Sequence, residues 1–511
     1  MIGRALDLRR SEFDTVAHTL FDVAIIGSGI SGACLFHHLC SQGYRVLLVD
    51  KADFAGGTSQ SSAMMIWGGL LYLRSLGLLT AYKLSAARDE LVRTVRDSVH
   101  PRPYRYILPA RNPGKRLLVH SALYFYWLMS GCRRSRPRLC ADFEELPMLR
   151  QKRDCFEYEE AYVPDSDSRF VLQWLLKTRS PEKPALNYCA LRSGSYDSTA
   201  RHWFLDLHDT VLNRELTARA RIIVNAAGAW TDSINVQFGI QTPHKHVLSK
   251  GVFIGVPRHS SHRVPLIFER ELVNDYFAFI PWGPISLFGA TETPIKDVTA
   301  RCAPQQEDIH VLLEELNRKV AAPFGIQAII SLRCGVRALV VPRESAQPAK
   351  TSRLSRRYVI HRDRLLPWIS IHGGKLTSCV ATALAASDAI DRYLSPRHPP
   401  AIAREATTAM PELERFPGID EPVLSAAWCA EQEGCWTLED YLRRRTNIAQ
   451  WIFRGGLGPH NQNANRLEQA ALVFANGDAL RAKGAVAAYQ RRMEDEFDRI
   501  VQSGQPAHAT S

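Results

Sequence analysis

The stretch 21–50, FDVAIIGSGISGACLFHHLCSQGYRVLLVD, decides the fold of this chain. Phe21–Ile26 predicts a short strand that is buried on both faces, as in a parallel sheet. The glycine turn Gly27–Gly32 follows directly, and Ala33–Cys40 predicts a helix. Tyr44–Val49 predicts a second buried strand. The stretch therefore predicts a right-handed strand–turn–helix–strand unit.

The glycines of this turn have the spacing G-x-G-x-x-G. Gly27 permits a tight turn, Gly29 lets the backbone approach a pyrophosphate, and Gly32 lets helix and strand pack closely. The helix N-terminus adds N–H groups and a positive dipole. Asp50, at the end of the second strand, is placed to accept hydrogen bonds from an adenosine ribose. The alternative is a unit of this kind without a ligand, but the context favours a dinucleotide, FAD or NAD.

Length and composition bound the remaining possibilities. At 511 residues the chain exceeds the ~250–300 at which a single core stops growing, which predicts several domains. Hydrophobic residues at 46% and charged residues at 23% exclude a disordered, collagen-like or disulfide-scaffold protein. The net charge of +12 favours an anionic substrate, a nucleic acid or an acidic membrane surface. No motif supports nucleic-acid binding, so none is predicted.

Eleven cysteines without a C-x-x-C spacing predict free thiols in a reducing compartment, and no metal site. The N-terminus has no continuous apolar core of a signal peptide, and Val119–Met129 is shorter than the ~20 residues of a spanning helix. We therefore expect a cytoplasmic protein. A peripheral position on the inner face of the cell membrane fits the aromatic run, because Lys115–Arg116 and Arg133–Arg136 flank it with basic residues. The alternative is an aromatic helix packed on its own domain.

Further motifs point to a known family. They are the serine-rich segment TSQSS at 58–62, IWGGLLYL at 66–73, VNAAGAW at 224–230, CGVR at 334–337, GGKLT at 373–377, and a C-terminal segment with WTLED at 436–440 and RRRT at 443–446. Together with the glycine turn they resemble the FAD-dependent glycerol-3-phosphate dehydrogenases, within the wider group of D-amino-acid-oxidase-like flavoproteins. The resemblance runs from about residue 21 to about residue 453.

The resemblance implies an α/β fold with three parts. A Rossmann-type FAD-binding domain is expected from the discontinuous segments 20–100, 200–245 and 330–395. A substrate-binding domain with a mixed or antiparallel sheet is expected from 101–199 and 246–329, where Lys250–Ile254, Tyr276–Ile280 and Ile285–Phe288 are strand-like. A helical C-terminal domain is expected from 400–505.

The resemblance also implies an FAD held in an extended conformation. Its pyrophosphate is expected on the first helix, and its ring against the Gly68–Gly69 and Gly373–Gly374 turns, where a Cβ would stand in the way. The implied cofactor-binding residues are Gly27, Ser28, Gly29, Ile30, Ser31, Gly32, Asp50, Lys51, Thr58, Ser59, Ser62, Gly68, Gly69, Ala190, Ala227, Gly228, Trp230, Gly335, Gly373, Gly374, Lys375, Leu376 and Thr377.

By the same resemblance, three cations and one tyrosine line the substrate pocket. They are Arg337, Arg356, Lys375 and Tyr72, and Arg337 and Lys375 are expected to act in catalysis. Converging cations suit a phosphate or carboxylate, which arginine binds in bidentate fashion. For Arg356, which lies among other arginines, the alternative is a solvated basic loop.

Three adjacent positions depart from the family pattern S-K-L-I-H-G-G-L-R-Y-L. Its lysine is Met64 here, its histidine is Trp67 and its arginine is Leu71. Tryptophan cannot accept a proton, and Leu71 removes a phosphate ligand. Trp67 and Leu71 therefore predict a substrate with one anionic end and a body more apolar than glycerol 3-phosphate.

His372 is the alternative proton acceptor, because it directly precedes Gly373 and an imidazole titrates near neutral pH. An ordinary structural histidine is the other reading. The main hypothesis is a dehydrogenase that passes a hydride from a small anionic hydroxy compound to FAD and electrons to quinone or oxygen. The alternatives are an FAD-dependent amine or amino-acid oxidase, which needs no dedicated base, and a non-catalytic flavin-binding scaffold.

Overall fold

The computed structural model describes residues 3–75, 77–108, 113–270, 275–298, 302–345, 357–395 and 410–502. In this part of the chain the helices are α1 (Gly3–His18), α2 (Ile30–Ser41), α3 (Leu78–Thr94), α4 (Pro113–Met129), α5 (Asp167–Leu176), α6 (Thr231–Gln237), α7 (Gln306–Lys319), α8 (Cys379–Asp391), α9 (Ala426–Glu433), α10 (Ile448–Trp451), α11 (Ala464–Phe474), α12 (Ala479–Met493) and α13 (Arg499–Gln502).

The strands are β1 (Leu20–Ile26), β2 (Val46–Val49), β3 (Met65–Ile66), β4 (His100–Ile107), β5 (Arg138–Cys140), β6 (Cys155–Tyr162), β7 (Ala185–Leu186), β8 (Cys189–Asp197), β9 (His202–Asp209), β10 (Arg214–Asn225), β11 (His244–Pro257), β12 (Leu266–Arg270), β13 (Asp275–Trp282), β14 (Ile285–Gly289), β15 (Thr293–Ile295), β16 (Ser331–Pro342), β17 (Tyr358–Arg362), β18 (Trp368–Gly373), β19 (Leu413–Glu414) and β20 (Val423–Leu424).

The first sheet is built around β1, whose residues from Phe21 to Ile26 are buried. Strands β10 and β2 flank β1 and run parallel to it, and β18 runs parallel to β10. The order is β17-β18-β10-β1-β2-β7, and the hairpin β8–β9 continues antiparallel from β10. Apolar residues of α2 and α8 cover one face of the sheet, and Phe13 and Val16 of α1 pack on the other. The predicted strand–turn–helix–strand unit is therefore confirmed.

The second sheet has the order β15-β11-β14-β13-β12-β4-β6-β3, with β16 on β11 and β5 on β6. All its pairs are antiparallel except that of β12 with β4. The amphipathic helix α7 packs on it through Ile309, Leu312 and Leu316. The predicted α/β fold with a mixed, mostly antiparallel second sheet is confirmed.

The division into domains stays a prediction, but strand pairing differs from it at three places. Strand β16, within the range 330–395 expected in the FAD-binding domain, pairs along its length with β11 of the second sheet. Strand β3, within 20–100, pairs with β6 of the same sheet. Strands β7 and β8, within 101–199, belong to the first sheet. These pairings join segments far apart in sequence, so local patterns do not specify them.

The described C-terminal part, residues 410–502, is mostly helical, as expected. Helices α9 to α12 enclose a core of their own, which includes Cys429, Leu442 and Leu467. Thr437 and Asp440 cap one another in this part of the chain: Asp440 Oδ2 accepts the N–H of Thr437 (3.0 Å), and Thr437 Oγ1 accepts the N–H of Asp440 (3.2 Å). The segment Asp440–Arg445 winds as a wide helical turn. In the described residues we find no helix with both the length and the apolar character needed to cross a bilayer.

Candidate active site

The glycine turn occupies the carboxyl end of β1, and each of its three glycines has its own reason. Gly27 has a φ of +102°, and a Cβ there would lie 2.8 Å from the carbonyl oxygen of Ala226. A Cβ at Gly32 would collide with the carbonyl oxygen of Gly27. At Gly29, however, the nearest protein atom is Ser59 Oγ at 3.3 Å. Packing alone thus requires the first and third glycines, whereas the space above Gly29 suits a ligand phosphate.

Asp50 lies beside this turn at the end of β2. Its Oδ2 accepts hydrogen bonds from the N–H and the hydroxyl of Ser28, both at 2.7 Å, and its Oδ1 accepts the N–H of Ala52 at 2.9 Å. Burial raises the pKa of the Asp50 carboxyl, and the bonds from Ser28 and Ala52 oppose that rise. The carboxylate is therefore hydrogen-bonded directly to the turn, and its contact with a ribose stays a prediction.

The serine-rich segment connects the N-terminus of α2 to β16. Ser59 Oγ accepts the N–H of Ile30 (3.0 Å), and Thr58 Oγ1 donates to the carbonyl of Val336 (2.5 Å). Ser62 donates its N–H to Asp167 Oδ2 at 2.7 Å. Thr58, Trp230 and Gly335 line one cavity of about 410 Å³. The structure thus brings these predicted cofactor residues, which are distant in sequence, to one region beside the glycine turn.

The other predicted cofactor residues on this side follow the ends of the first sheet's strands. The ammonium group of Lys51 lies 4.6 Å from the ring centroid of Trp230. Ala227 and Gly228 follow β10, and a Cβ at Gly228 would meet no atom within 4 Å. Ala190 lies on β8 and pairs with His208 of β9. The sequence analysis placed residues 101–199 in the substrate-binding domain and did not predict that β8 belongs to the first sheet.

The Gly373–Gly374 turn follows β18 and leads into Lys375. Both glycines have positive φ, +68° and +94°; a Cβ at Gly373 would collide with the carbonyl oxygen of Arg357, but at Gly374 the nearest atom is Ser31 Oγ at 3.6 Å. Lys375 Nζ lies 5.3 Å from the ring centroid of Tyr72. Lys375 and Tyr72, predicted as pocket residues from sites far apart in sequence, are therefore neighbours.

Leu376 and Thr377 begin the short helical turn after Lys375. Thr377 Oγ1 donates to the carbonyl of Trp67 at 3.2 Å. The segment that contains Met64, Trp67 and Leu71, which we call the altered wall, is thereby hydrogen-bonded to the residues that follow the Gly373–Gly374 turn. Met64 is buried with a φ of +56°, and Trp67 packs edge-on to Tyr276 with 6.4 Å between ring centroids. Leu71 lies in the short helix 70–75, but its side chain is outside the described residues.

The Gly68–Gly69 pair is explained by packing within the protein. A Cβ at Gly68 would collide with the hydroxyl of Tyr126, and a Cβ at Gly69 would lie 3.1 Å from Ala81 of α3. Gly68 donates its N–H to Glu160 Oε2 (3.1 Å), and Tyr126 donates to Glu160 Oε1 (2.7 Å). Contact with a flavin ring is not needed to account for these glycines.

Arg337 lies on β16 opposite Ser249 of β11. Its Nη1 donates to the carbonyl of Thr291 at 3.2 Å. A Cβ at Gly251 would come within 2.5 Å of both Nη atoms, so that glycine makes room for the guanidinium group. Arg356 lies outside the described residues.

His372, the predicted proton acceptor, is fully buried on β18. Burial and the neighbouring imidazole of His246 lower the pKa of His372 to about 3, although Asp232 opposes the shift. At neutral pH this imidazole is uncharged and only weakly basic. A sequence reading could not detect this, because His246 and Asp232 reach it from β11 and α6.

A buried ion-pair network lies beside the predicted cofactor residues, and it was not predicted from the sequence. Asp53 accepts hydrogen bonds from Arg444 (2.5 Å) and twice from Arg445 (2.8 Å each). Burial alone would raise the pKa of Asp53, but Arg445 and Arg444 outweigh it and lower the pKa to about 2. Three consecutive arginines at 443–445 were the available signal, but their partner lies almost four hundred residues away.

Comparison with known proteins identifies the family to which this architecture belongs. Residues 22–389 match the family model described as FAD dependent oxidoreductase. The chain belongs to that family. The prediction that this FAD-dependent oxidoreductase takes FAD as its cofactor is confirmed, and its sequence relatives are dehydrogenases of phosphorylated alcohols.

Two relatives of this oxidoreductase illustrate the similarity. D-erythritol 1-phosphate dehydrogenase of Brucella abortus (strain 2308) is 28% identical over 371 residues, which are 70% of this chain and 71% of that protein. Mitochondrial glycerol-3-phosphate dehydrogenase of Saccharomyces cerevisiae is 26% identical over 418 residues, 72% of this chain and 63% of that protein. The chain spans only about half to two thirds of the length of the mitochondrial enzymes it matches.

Solved structures show the same fold. Glycerol-3-phosphate dehydrogenase from Bacillus halodurans, in complex with FAD, aligns with a TM-score of 0.71 at 19% identity and covers 99% of this chain and 100% of its own. Glycine oxidase from Geobacillus kaustophilus aligns with a TM-score of 0.53 at 18% identity, over 73% of this chain and 95% of its own. The first alignment includes the helical C-terminal part, whereas the second covers less of the chain.

The residues present fit an FAD. The space above Gly29 is the one position of the glycine turn that protein packing leaves open, and it lies at the N-terminus of α2, where N–H groups favour a phosphate. Asp50 stands where a ribose is bound in this type of unit. Gly29 is therefore the glycine whose lack of a side chain a bound FAD would explain, whereas the positive φ of Gly374 already favours glycine there.

Proposed function

We propose that this chain oxidises the hydroxyl group of a small organic anion whose body is more apolar than glycerol 3-phosphate. The observation that carries the proposal is the pairing of Lys375 with Tyr72 at the Gly373–Gly374 turn, 5.3 Å from ammonium to ring centroid. Two residues after Lys375, Thr377 donates to the carbonyl of Trp67, which connects this cation to the segment that Trp67 makes more apolar. One anionic end and one apolar body satisfy both features of the pocket.

FAD, when bound, supplies the acceptor for the hydride that leaves the carbinol carbon. Lys375 and Arg337 hold the anionic end of the substrate, since a charged donor forms the stronger hydrogen bonds to a phosphate or carboxylate. Trp67 packs against Tyr276 and excludes water from the apolar part of the pocket. The hydroxyl proton passes to water, since we assign it to no side chain, and quinone or oxygen would be the final electron acceptor.

We assign His372 no step in this reaction. Its pKa of about 3 makes it a weak base at neutral pH, and its side chain is fully buried. Trp67 cannot take its place, because an indole has no lone pair to accept a proton.

Oxidation of an amine or amino acid is the second candidate. The lack of an imidazole at position 67 favours it, because a neutral amine can lose a hydride without a dedicated base. The fold is compatible with it, as the glycine oxidase alignment shows.

A substrate panel with anaerobic flavin bleaching distinguishes the candidates. We expect bleaching by an anionic alcohol with an apolar chain, slow bleaching by glycerol 3-phosphate, and none by glycine. Lys375→Met should slow bleaching by the anionic alcohol about 10–150-fold, the effect of losing one charged hydrogen bond. Bleaching by amines alone would establish the second candidate, and no bleaching by any compound would refute both.

The altered wall has its own test. Trp67→His combined with Leu71→Arg should raise kcat/KM for glycerol 3-phosphate, because the two changes restore an imidazole and a cation. Wild-type activity with glycerol 3-phosphate at about 10⁴ M⁻¹s⁻¹ or more would show that the wall does not exclude this substrate.

We further propose that the protein is cytoplasmic and rests on the inner face of the cell membrane through α3 and α4. Leu117, Leu118 and Leu128 of α4 are 67%, 65% and 57% exposed, and Leu79 of α3 is 67% exposed. Tyr82 of α3 and Leu128 of α4 line one surface cavity together with charged side chains such as Arg93 and Arg133, so apolar and basic groups meet there. Apolar side chains beside basic ones suit an anionic bilayer.

Some of the nearby positive charge is already paired. Lys115 lies 3.5 Å from Glu269, and Arg116 lies 3.4 Å from Asp154. The apolar side chains must therefore supply much of the binding. Co-sedimentation with phosphatidylglycerol vesicles should be lost in Leu117→Glu/Leu118→Glu and retained in Val311→Glu, an exposed apolar position on α7. Equal binding of the wild type and both variants would contradict the proposal.

A further inference from the structure

Histidines gather with one carboxylate where β11 and β18 meet the start of α6. His244 and His246 lie on β11, His372 lies on β18, and Asp232 lies in the first turn of α6. The ring centroids of His246 and His372 are 5.1 Å apart, and those of His244 and His372 are 6.4 Å apart. Three of these residues, Asp232, His246 and His372, place ligand atoms that all lie within 4.8 Å of one another.

Several polar atoms at this point lack hydrogen-bond partners among the described residues, although Asp232 Oδ2 accepts the backbone N–H of His246 at 2.7 Å. The side chain of His372 has 0% exposure, and within the described part of the chain neither of its ring nitrogens is hydrogen-bonded. The same is true of Asp232 Oδ1. Buried polar groups are nearly always paired, so unpaired atoms on neighbouring side chains, facing one another, indicate a missing partner.

The spacing of these atoms matches a metal site better than a set of hydrogen bonds. Asp232 Oδ1 lies 3.6 Å from His372 Nδ1, and Asp232 Oδ2 lies 3.4 Å from His246 Nδ1. Both distances are long for hydrogen bonds. Two ligands that are each about 2.0–2.1 Å from a tetrahedral zinc ion lie roughly 3.3 Å apart. Small movements of the side chains would therefore complete the coordination.

We propose that Asp232, His246 and His372 bind one divalent transition-metal ion, such as Zn²⁺. Two imidazoles and a carboxylate are a donor set that such ions prefer, and it leaves a fourth position for water. Asp232 is 30% exposed, whereas the two histidines are at most 2% exposed, so the ion enters from the Asp232 side.

The bound ion would be coupled to the Gly373–Gly374 turn. In the structure His246 Nε2 accepts the N–H of Gly373 at 3.0 Å, which places the ring proton on Nδ1, toward Asp232. An ion on Nδ1 replaces that proton, and the ring proton then moves to Nε2. A protonated Nε2 cannot accept the N–H of Gly373. Occupancy of the site therefore releases the hydrogen bond that holds the first glycine of the turn.

Zinc binding to the full-length holoprotein tests the proposal. After treatment with a chelator, the protein is titrated with Zn²⁺ in competition with a chromophoric chelator. We expect one ion per chain, and at least a 100-fold loss of affinity in His372→Val, because even residues that only orient a metal ligand are worth 10–100-fold. His310→Gln, which removes an exposed histidine of α7, serves as the matched control and should bind like the wild type.

Two further measurements guard against misfolding and against surface histidines. Asp232→Asn keeps the side-chain shape and should also lose affinity, while flavin absorbance and far-UV circular dichroism confirm the fold. Zn²⁺ should accelerate amide hydrogen exchange in the peptide that contains Gly373 in the wild type, but not in His372→Val. Absence of stoichiometric binding, or binding that survives both His372→Val and Asp232→Asn, would overturn the proposal.

Discussion

At the scale of single residues, Gly29 and Gly32 share one turn but have different roles. A Cβ at Gly32 would collide with the backbone of Gly27, whereas a Cβ at Gly29 would meet only the movable hydroxyl of Ser59 at 3.3 Å. Gly32 is therefore required by folding, whereas we expect Gly29 to be required by cofactor binding. Side chains at the two positions should therefore fail in different ways.

We predict that Gly29→Val yields a folded protein without flavin, because the added side chain occupies the space of the pyrophosphate. The measurement is FAD content by absorbance near 450 nm, with circular dichroism for the fold. Gly32→Ala, the matched variant, should be unstable or insoluble instead. A Gly29→Val protein that retains stoichiometric FAD would refute the assignment of the phosphate position.

The role of Arg337 is a second prediction at this scale. Arg337→Ala should lower kcat/KM for the anionic substrate about 10–150-fold, the effect of losing a charged hydrogen bond of ~1.5–3 kcal/mol. FAD content should not change. Arg343→Ala is the control, since Arg343 follows the same strand and donates to the carbonyl of Thr242 (2.7 Å). Parallel loss of FAD and substrate would instead indicate a structural role.

At the scale of elements, Asp53 joins the loop after β2 to the turn Asp440–Arg445. Its two guanidinium partners neutralise a fully buried carboxylate and lower its pKa to about 2. In the unfolded chain the pKa of an aspartate is near 3.9. Because the folded value is the lower one, the pair stabilises the fold above about pH 4, and this contribution is lost as the pH falls from about 4 to about 2.

We predict that Asp53→Asn removes this acid-sensitive contribution. The variant should be destabilised by about 3 kcal/mol near neutral pH, the lower end of the cost of breaking a buried ion pair, because Arg444 retains Asp440 and Arg445 retains Glu433 as partners. The difference in the free energy of unfolding from the wild type should narrow below pH 4. Urea unfolding between pH 2.5 and 7 measures both effects. Asp7→Asn, at an exposed ion pair with Arg10, should change little at any pH. A difference in the free energy of unfolding that does not vary with pH would contradict the low pKa of Asp53.

Elements defined by local patterns could be predicted from the sequence, whereas elements defined by distant partners could not. The strand 21–26, the glycine turn and α2 follow from burial periodicity and from glycines that only a tight turn requires. Helix α4 contains the run Val119–Met129, for which an aromatic helix was one of the two readings, although the helix begins earlier, at Pro113. Nothing in the sequence of β16 indicated that β11 is its partner. Locally, CGVR at 334–337 is compatible with either sheet.

The same distinction applies to the candidate site. Tyr72 and Lys375 are read from motifs, and the structure places them side by side. The Gly68–Gly69 motif was also visible, but its physical reason was not, because Tyr126 and Ala81 come from α4 and α3. The low pKa of His372 arises from residues on two other elements. The type of a residue is read from the sequence, whereas its surroundings are set by the folded chain and cannot be read from a local motif.

At the scale of the whole molecule, the predicted cofactor residues come from several separate segments of the chain. They lie in the glycine turn, the serine-rich segment, the end of β10, β16 and the Gly373–Gly374 turn. A ligand that contacts all of these segments binds the native state and has no comparable site in the unfolded chain. Bound FAD should therefore stabilise the fold as a unit.

We predict that FAD raises the melting temperature of the apoprotein, because binding at 100 times the Kd adds about 2.7 kcal/mol to the free energy of unfolding. Differential scanning fluorimetry with increasing FAD measures the shift. Gly29→Val should show no shift at the same concentrations. A wild-type melting temperature that is independent of FAD would show that FAD does not bind the native state in preference to the unfolded chain.

Asp53 and Arg445 are 392 positions apart, so the ribosome makes the carboxylate long before its guanidinium partner. At ~5–20 residues per second, about 20–80 s separate the two. Until Arg444 and Arg445 have been made, the Asp53 carboxylate in the loop after β2 lacks both of its guanidinium partners. A nonsense codon anywhere between Gly32 and Arg444 should therefore give a colourless product, although every residue of the glycine turn has been translated. The yellow colour of bound flavin in a cell pellet would therefore indicate that translation has passed Arg445.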